Sequence, residues 1–206
     1  MKLAISCFLY LAKHFVISRL AKRKFRSVGE RLSFSPENSV FRYASITIGN
    51  NVFIGREVIF SCEAEIGNYV LFGPRVYITS GRHNYAIVGK RIREQGEAGV
   101  KKLLLKTIVG LEKALLICRG VRIGEGSVIG GMSVVSRSLP PYCICVGTPC
   151  APIKLRYTDE ELEEHLICLG SLPQEAHAMV ERRYKELVAG GYQVMENGRI
   201  CPQQKR

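Results

Sequence analysis

The side chain best suited to chemistry in this 206-residue sequence is His83, in the run Thr79-Ser80-Gly81-Arg82-His83-Asn84-Tyr85. Of the four histidines, His14, His83, His165 and His177, His83 alone falls in the patterned middle of the chain. An imidazole titrates near neutrality, so it can take the proton from an attacking hydroxyl and hand it on to a leaving group. An isolated histidine is more often structural than catalytic, so the residue by itself leaves both readings open. Asn84 and Tyr85 are candidates to orient the ring or an acceptor; a turn asparagine and a packing tyrosine are equal alternatives. A zinc site needs several convergent ligands, and the patterned region offers one histidine. The eight cysteines, at 7, 62, 118, 143, 145, 150, 168 and 201, lack zinc-site spacing. They read as reduced cytosolic thiols, several of them small core residues.

What must position His83 is a six-residue beat. Positions 48, 54, 60, 66, 72 and 78 hold Ile, Ile, Phe, Ile, Phe and Ile, and four residues after the first five stand Val52, Val58, Ala64, Val70 and Val76. The position after each repeat residue is Gly49, Gly55, Ser61, Gly67, Gly73 or Thr79. A fixed short period of this kind is the signature of a parallel β-helix, in which each unit makes one strand and one turn. Branched repeat residues suit an extended backbone and point into the coil, while the small residue after them is expected to supply unusual turn dihedrals. Three units per coil place Ile48 over Ile66. A sandwich would instead show turn signals every 8 to 12 residues and alternating polarity. The beat returns at 117, 123, 129 and 135, offset by three, so an inserted loop is expected over about 80–116.

The rest of the chain reads as appendages to one domain: a basic and apolar helical segment over 1–30, the β-helix over 31–157 and a helical extension over 158–206. Met1 to Leu20 is apolar around much of a helix, and basic residues gather at and beyond its end, at Arg19, Lys22, Arg23, Lys24 and Arg26. Peripheral contact with an anionic membrane through residues 1–26 and a helix capping the first coil are equal readings. No apolar run is long enough to span a bilayer, and there is no small-residue cleavage site. The charge of +12 lies in this segment and between Arg82 and Lys106. No aromatic-rich motif accompanies it, so nucleic acid is not expected as a partner; an anionic cofactor or surface accounts for the charge. Leu139-Pro140-Pro141-Tyr142 ends the strands, Thr158-Asp159-Glu160-Glu161 opens a helix with a capping box, and a second helix spans about 173–189. The tail after Gly190 is expected to be loose.

Residues 46–157 resemble the hexapeptide-repeat acyltransferases, left-handed parallel β-helix enzymes that include galactoside, maltose, serine and xenobiotic O-acetyltransferases and sugar-modifying relatives. The most specific stretch runs from Gly120 to Val135, followed by Pro140-Pro141-Tyr142, Val146-Gly147-Thr148-Pro149 and Ile153-Lys154. The fold class expected is all-β, a left-handed β-helix with helical appendages. The resemblance implies an acetyl-CoA-dependent O-acetyltransferase, cytoplasmic and homotrimeric, acting on a saccharide or related small acceptor. It makes His83 the general base, with Asn84 and Tyr85 beside it, and Gly131, Ser136, Arg137 and Lys154 the coenzyme A contacts; no metal is implied. Alternatives are a xenobiotic acetyltransferase and a non-catalytic β-helix scaffold. The scaffold draws on one departure, because the stretch Ile108 to Leu116 lacks the family's Trp and looks about four residues short, as if its coil were truncated.

Overall fold

A computed structural model describes residues 16–80, 82–99 and 101–203. Three parallel sheets form the faces of a prism. The first face stacks Ser27–Val28, Ile46–Ile48, Ala64–Ile66, Leu103–Leu105 and Arg122–Ile123. The second stacks Ser33–Phe34, Phe53–Ile54, Leu71–Phe72, Gly110–Leu111, Val128–Ile129 and Cys143–Val146. The third stacks Val40–Phe41, Ile59–Phe60, Tyr77–Ile78, Leu116–Ile117 and Val134–Val135. The chain visits the faces in that order, giving a left-handed parallel β-helix of about six coils with helical appendages. Ile48 pairs with Ile66, then Leu105 and Ile123 continue the same column, all of them buried.

The turns follow a rule that differs from the expected one. Three residues after most repeat positions, Phe60 and Val135 excepted, the backbone is left-handed: Asn51, Glu57, Tyr69, Arg75, Ile108, Ala114, Gly120, Gly126 and Met132 all have φ between 55° and 75°. The glycines directly after the repeat residue serve a different need. A Cβ on Gly49 would lie 2.7 Å from the backbone of Gly67, and one on Gly67 2.8 Å from that of Lys106, so these glycines let successive coils close on one another. Ile108 is the β-branched residue of the left-handed set, at φ 58°, a conformation that costs an ordinary L-residue about 1–2 kcal/mol. Asparagine tolerates it better. Ile108→Asn, which gives up the half-buried apolar side chain, is therefore expected to raise stability by about 0.5–1 kcal/mol net, seen as a higher denaturant midpoint at unchanged slope.

Two expected boundaries move. The second block begins at Leu103, since Leu103–Leu105 pairs with Ala64–Ile66 and Gly110–Leu111 with Leu71–Phe72. Val109, Leu111 and Leu115 are each 1% exposed, so the stretch 108–116 belongs to a complete coil and the truncated-coil reading is overturned. Its beat was hidden because Leu105 and Leu111 replace branched residues and Lys106 and Glu112 follow them where glycine was sought. At the other end the first coil starts at Ser27, inside the segment assigned to a helical appendage. Val28, Phe34 and Phe41 escape a strict period because short 3-10 turns at Pro36–Asn38 and Tyr43–Ser45 lengthen the corners.

Phe25 seals this first coil. Its ring meets Phe34, Phe41 and Tyr43 edge-on at 5.6, 5.6 and 4.8 Å between centroids, in the geometry that aromatic quadrupoles favour. Helix α1 (16–22) precedes it with Ala21 buried, as a capping helix requires. Residues 1–15, which carry most of the interfacial-helix reading, lie outside the described residues. No helix among the described residues is long and apolar enough to cross a membrane.

After the last coil the chain reverses into Ala151–Leu155, antiparallel to Cys143–Val146, and continues as α2 (Asp159–Cys168) and α3 (Pro173–Ala189). The expected capping box is present: Thr158 Oγ1 accepts from the Glu161 N–H and Glu161 Oε2 from the Thr158 N–H. Arg183, fully buried, ties the two helices by donating to the Tyr157 carbonyl and to Asp159. The tail is not loose. Tyr192–Val194 and Ile200–Pro202 form a hairpin, Ile200 is buried, and the Leu155 N–H donates to the Gly198 carbonyl, which fastens the hairpin to the β-helix.

The cysteines divide by burial. Cys143, Cys145 and Cys150 are buried in the last coil, where loss of water raises all three thiols, Cys143 to about 12 and Cys150 to about 11. Thiolate is the reactive form. At pH 8 an aromatic disulfide reagent is expected to label Cys168 readily and to reach these three only after denaturation; mass mapping of the labelled peptides checks this.

Candidate functional site

His83 sits on an insertion that leaves the prism at the edge between the third and first faces. Ile78 is the last buried repeat residue before it, and Leu103 is the first afterwards. The Thr79 N–H still donates to the Ile117 carbonyl at 3.0 Å, so the root of the insertion is fixed to the next coil. Arg82–His83 then pairs antiparallel with Glu97–Ala98, with His83 opposite Glu97. The imidazole is exposed and accepts or donates no hydrogen bond among the described residues. Its surroundings are held from the neighbouring residue: the Asn84 N–H donates to the Gly96 carbonyl at 2.9 Å and Asn84 Nδ2 to the Gln95 carbonyl at 3.0 Å. Tyr85 is 69% exposed, so it does not pack, and its face is open to a ligand.

The other sequence-derived residues fall in three places. Ser136 and Arg137 lie on the edge from which the insertion leaves: in the third face Ile78 pairs with Ile117 and Ile117 with Val135, so Thr79, Cys118 and Ser136 follow one another along that edge. Both residues are exposed. Gly131 stands at a different edge, between the second and third faces, where a Cβ would lie 3.2 Å from the Lys113 carbonyl. Lys154 is on the antiparallel strand that borders the second face, opposite Ile144. One chain thus joins His83, Ser136 and Arg137 to a common edge and leaves Gly131 and Lys154 elsewhere. His165 and His177 stand on α2 and α3 and contribute nothing to the coils.

Sequence reasoning missed a groove of about 640 Å³ along the edge that carries Gly131, lined by Phe53, Arg56, Arg75, Lys113 and Met132 among others. Arg75 is paired with Glu57 at 3.0 Å, and Arg56 and Lys113 add positive charge. Their positions in the turns fit the six-residue beat, which was the available signal: turn residues of successive units must line one edge. The groove combines an apolar floor with cationic walls, a combination suited to an elongated anion with an uncharged arm.

No protein-family model matches the sequence. A galactoside O-acetyltransferase of Lactococcus lactis is 29% identical over 149 residues, which are 71% of this chain and 70% of that protein. A galactoside O-acetyltransferase of Escherichia coli is 31% identical over 138 residues, 66% of each. Among solved structures, a hexapeptide-repeat acetyltransferase of Vibrio cholerae in complex with acetyl-coenzyme A superimposes with a TM-score of 0.62 at 26% identity, covering 68% of this chain and 76% of that one.

Proposed function

From the premise that the chain belongs to the hexapeptide-repeat acyltransferase family and is an acetyl-CoA-dependent acetyltransferase, we propose that it acetylates a saccharide hydroxyl with His83 as general base. The observation that carries the proposal is the placement of His83 on a hydrogen-bonded hairpin at the edge that also bears Ser136 and Arg137. In this reaction the neutral imidazole takes the hydroxyl proton as the oxygen attacks the thioester carbonyl. The C–O bond forms and the carbonyl oxygen becomes an oxyanion, a charge that backbone N–H groups at the coil edge are suited to receive. The oxyanion collapses, the C–S bond breaks, and the imidazolium returns its proton to the departing thiolate. No covalent enzyme intermediate and no metal enters the scheme.

The apolar exterior of the third face, with Val40 at 60%, Tyr77 at 45% and Leu116 at 39% exposed, favours assembly of prisms side by side, as in a homotrimer. Such packing would set the edge of one subunit bearing His83 against the edge of another bearing Gly131 and the cationic groove, which a single chain keeps apart. Coenzyme A would then lie between subunits, its phosphates near Arg56, Lys113, Arg137 or Lys154 and its arm passing Gly131.

The test is thiol release from acetyl-CoA with methyl β-galactoside and methyl β-glucoside as acceptors, with mass spectrometry of the glycoside. Acceptor-dependent release with a monoacetylated glycoside is expected. Acetyl-CoA turnover with amines only, or no calorimetric binding of acetyl-CoA, would contradict the proposal.

A further inference from the structure

The insertion that carries His83 has little apolar anchorage. Tyr85, Ile87, Val88 and Ile92 are all exposed, Val88 at 97%. Its shape is held instead through one buried polar residue, Gln95, which is 8% exposed. Gln95 Oε1 accepts from the Ile87 N–H at 2.9 Å, and Nε2 donates to the Lys90 carbonyl at 2.6 Å. The Gln95 carbonyl accepts from Asn84 Nδ2 at 3.0 Å, and its N–H donates to the Ile92 carbonyl at 3.2 Å. The next residue, Gly96, accepts the Asn84 N–H at 2.9 Å, and Glu97–Ala98 then completes the pairing with Arg82–His83.

Both amide donors of the residue next to His83 therefore end on Gln95 and Gly96, and the Gln95 side chain ties down the opposite side of the same turn. A surface segment with exposed apolar residues does not hold one conformation without such cross-links. Removing the Gln95 amide frees the Ile87 N–H and the Lys90 carbonyl to bind water, and with them the segment that fixes Asn84. The β-helix does not depend on this, because Ala64–Ile66 pairs directly with Leu103–Leu105 beneath the insertion.

We propose that Gln95 is a positioning residue for His83: its side-chain amide clamps the turn at Ile87 and Lys90 while its backbone carbonyl receives Asn84 Nδ2, and together they hold the hairpin that presents the imidazole to the acceptor and the thioester. The inference rests on His83 being the general base. Geometry of this kind governs the chemical step, since a displacement of about 1 Å costs on the order of a hundredfold in rate.

The experiment uses the full chain with acetyl-CoA and methyl β-galactoside, comparing Gln95→Ala, Gln95→Met, which keeps the volume and loses the hydrogen bonds, His83→Ala and the double variant His83→Ala with Gln95→Ala. Both Gln95 variants are expected to lower kcat about 10- to 100-fold with KM for acetyl-CoA within about twofold. Trypsin is expected to cut faster after Lys90, Arg91 and Arg93, at an unchanged thermal midpoint. Within the double variant the Gln95 change is expected to add nothing to the His83 loss. Wild-type kcat and trypsin resistance in Gln95→Met, or a full further loss in the double variant, would overturn the positioning role. Full activity of His83→Ala would instead overturn the reading of His83 itself.

Discussion

His83→Ala is expected to lose about a hundred- to ten-thousand-fold in acetyl transfer to a glycoside while folding normally and binding acetyl-CoA with unchanged affinity. The size of the effect follows from the reaction. A hydroxyl is a weak nucleophile until a base removes its proton, and among the described residues no second histidine stands in the coils to substitute. The specificity follows from the structure. His83 is exposed, its ring makes no hydrogen bond among the described residues, and the hairpin that carries it lies outside the coil ladder. An effect on kcat without an effect on acetyl-CoA affinity separates loss of proton transfer from loss of the site. Melting curves of the two proteins should coincide. Retention of more than about a tenth of the turnover would mean that proton transfer is not a large part of the catalysis.

Gly126→Ala is the substitution expected to damage the fold most, by about 2–4 kcal/mol, from two causes that add. Gly126 has φ 67°, where a Cβ costs on the order of 1 kcal/mol. That Cβ would also lie 2.2 Å from the ring of Tyr142, a contact that overpacks the core at about 1–3 kcal/mol. Tyr142 cannot withdraw: it is fully buried, with Tyr157 at 6.4 Å and His165 at 6.1 Å between ring centroids, and the Arg156 guanidinium donates to the Gly126 carbonyl beside it. Gly120→Ala supplies the contrast. It has φ 75°, and its Cβ would lie 2.8 Å from the Cβ of Lys101, but Lys101 is exposed at the end of the insertion, where a small backbone shift relieves the contact. Its cost is expected to stay near about 1 kcal/mol. Denaturant unfolding of both variants checks the pair, and equal losses would show that the Tyr142 contact carries no weight. If Gly126→Ala yields no soluble protein while Gly120→Ala does, the ordering holds.

How far the sequence could be read depended on whether a residue answered to one force or to two. The buried column Ile48, Ile66 and Ile123 answered only to the coil interior, so period and residue type agreed and the β-helix was legible. Leu105 lies in the same column and Leu111 in the column of Phe72 and Ile129, but Lys106 and Glu112 follow them at the surface, so a pattern built on the small residue loses the coil that the hydrophobic columns keep. The turn rule was misread for a related reason. Glycine after the repeat residue suggests a dihedral need, but it answers the close approach of backbones one coil apart, which the linear pattern does not display. The helices α2 and α3 were legible from a capping box and a 3.6-residue stripe, except for Arg183, whose burial depends on Asp159 from the other helix.

The site was legible at His83 because its place in the chain, where the beat first fails, is a property of sequence. It was not legible at Gln95. Nothing distinguishes a glutamine in a polar loop until its amide is seen to join Ile87 and Lys90. Gly131, Ser136, Arg137 and Lys154 came from resemblance, and their separation onto different edges is a matter of three-dimensional winding that the one-dimensional pattern does not contain.

The measurement that bears most directly on the proposed chemistry is a crystal structure of the protein with coenzyme A. The thiol sulfur is expected within about 4 Å of the His83 ring, close enough for proton transfer directly or through one water, with the nucleotide end in the cationic groove lined by Arg56 and Lys113 on the edge that carries Gly131. Coenzyme A bound with its sulfur on another edge of the prism, remote from His83, would contradict it.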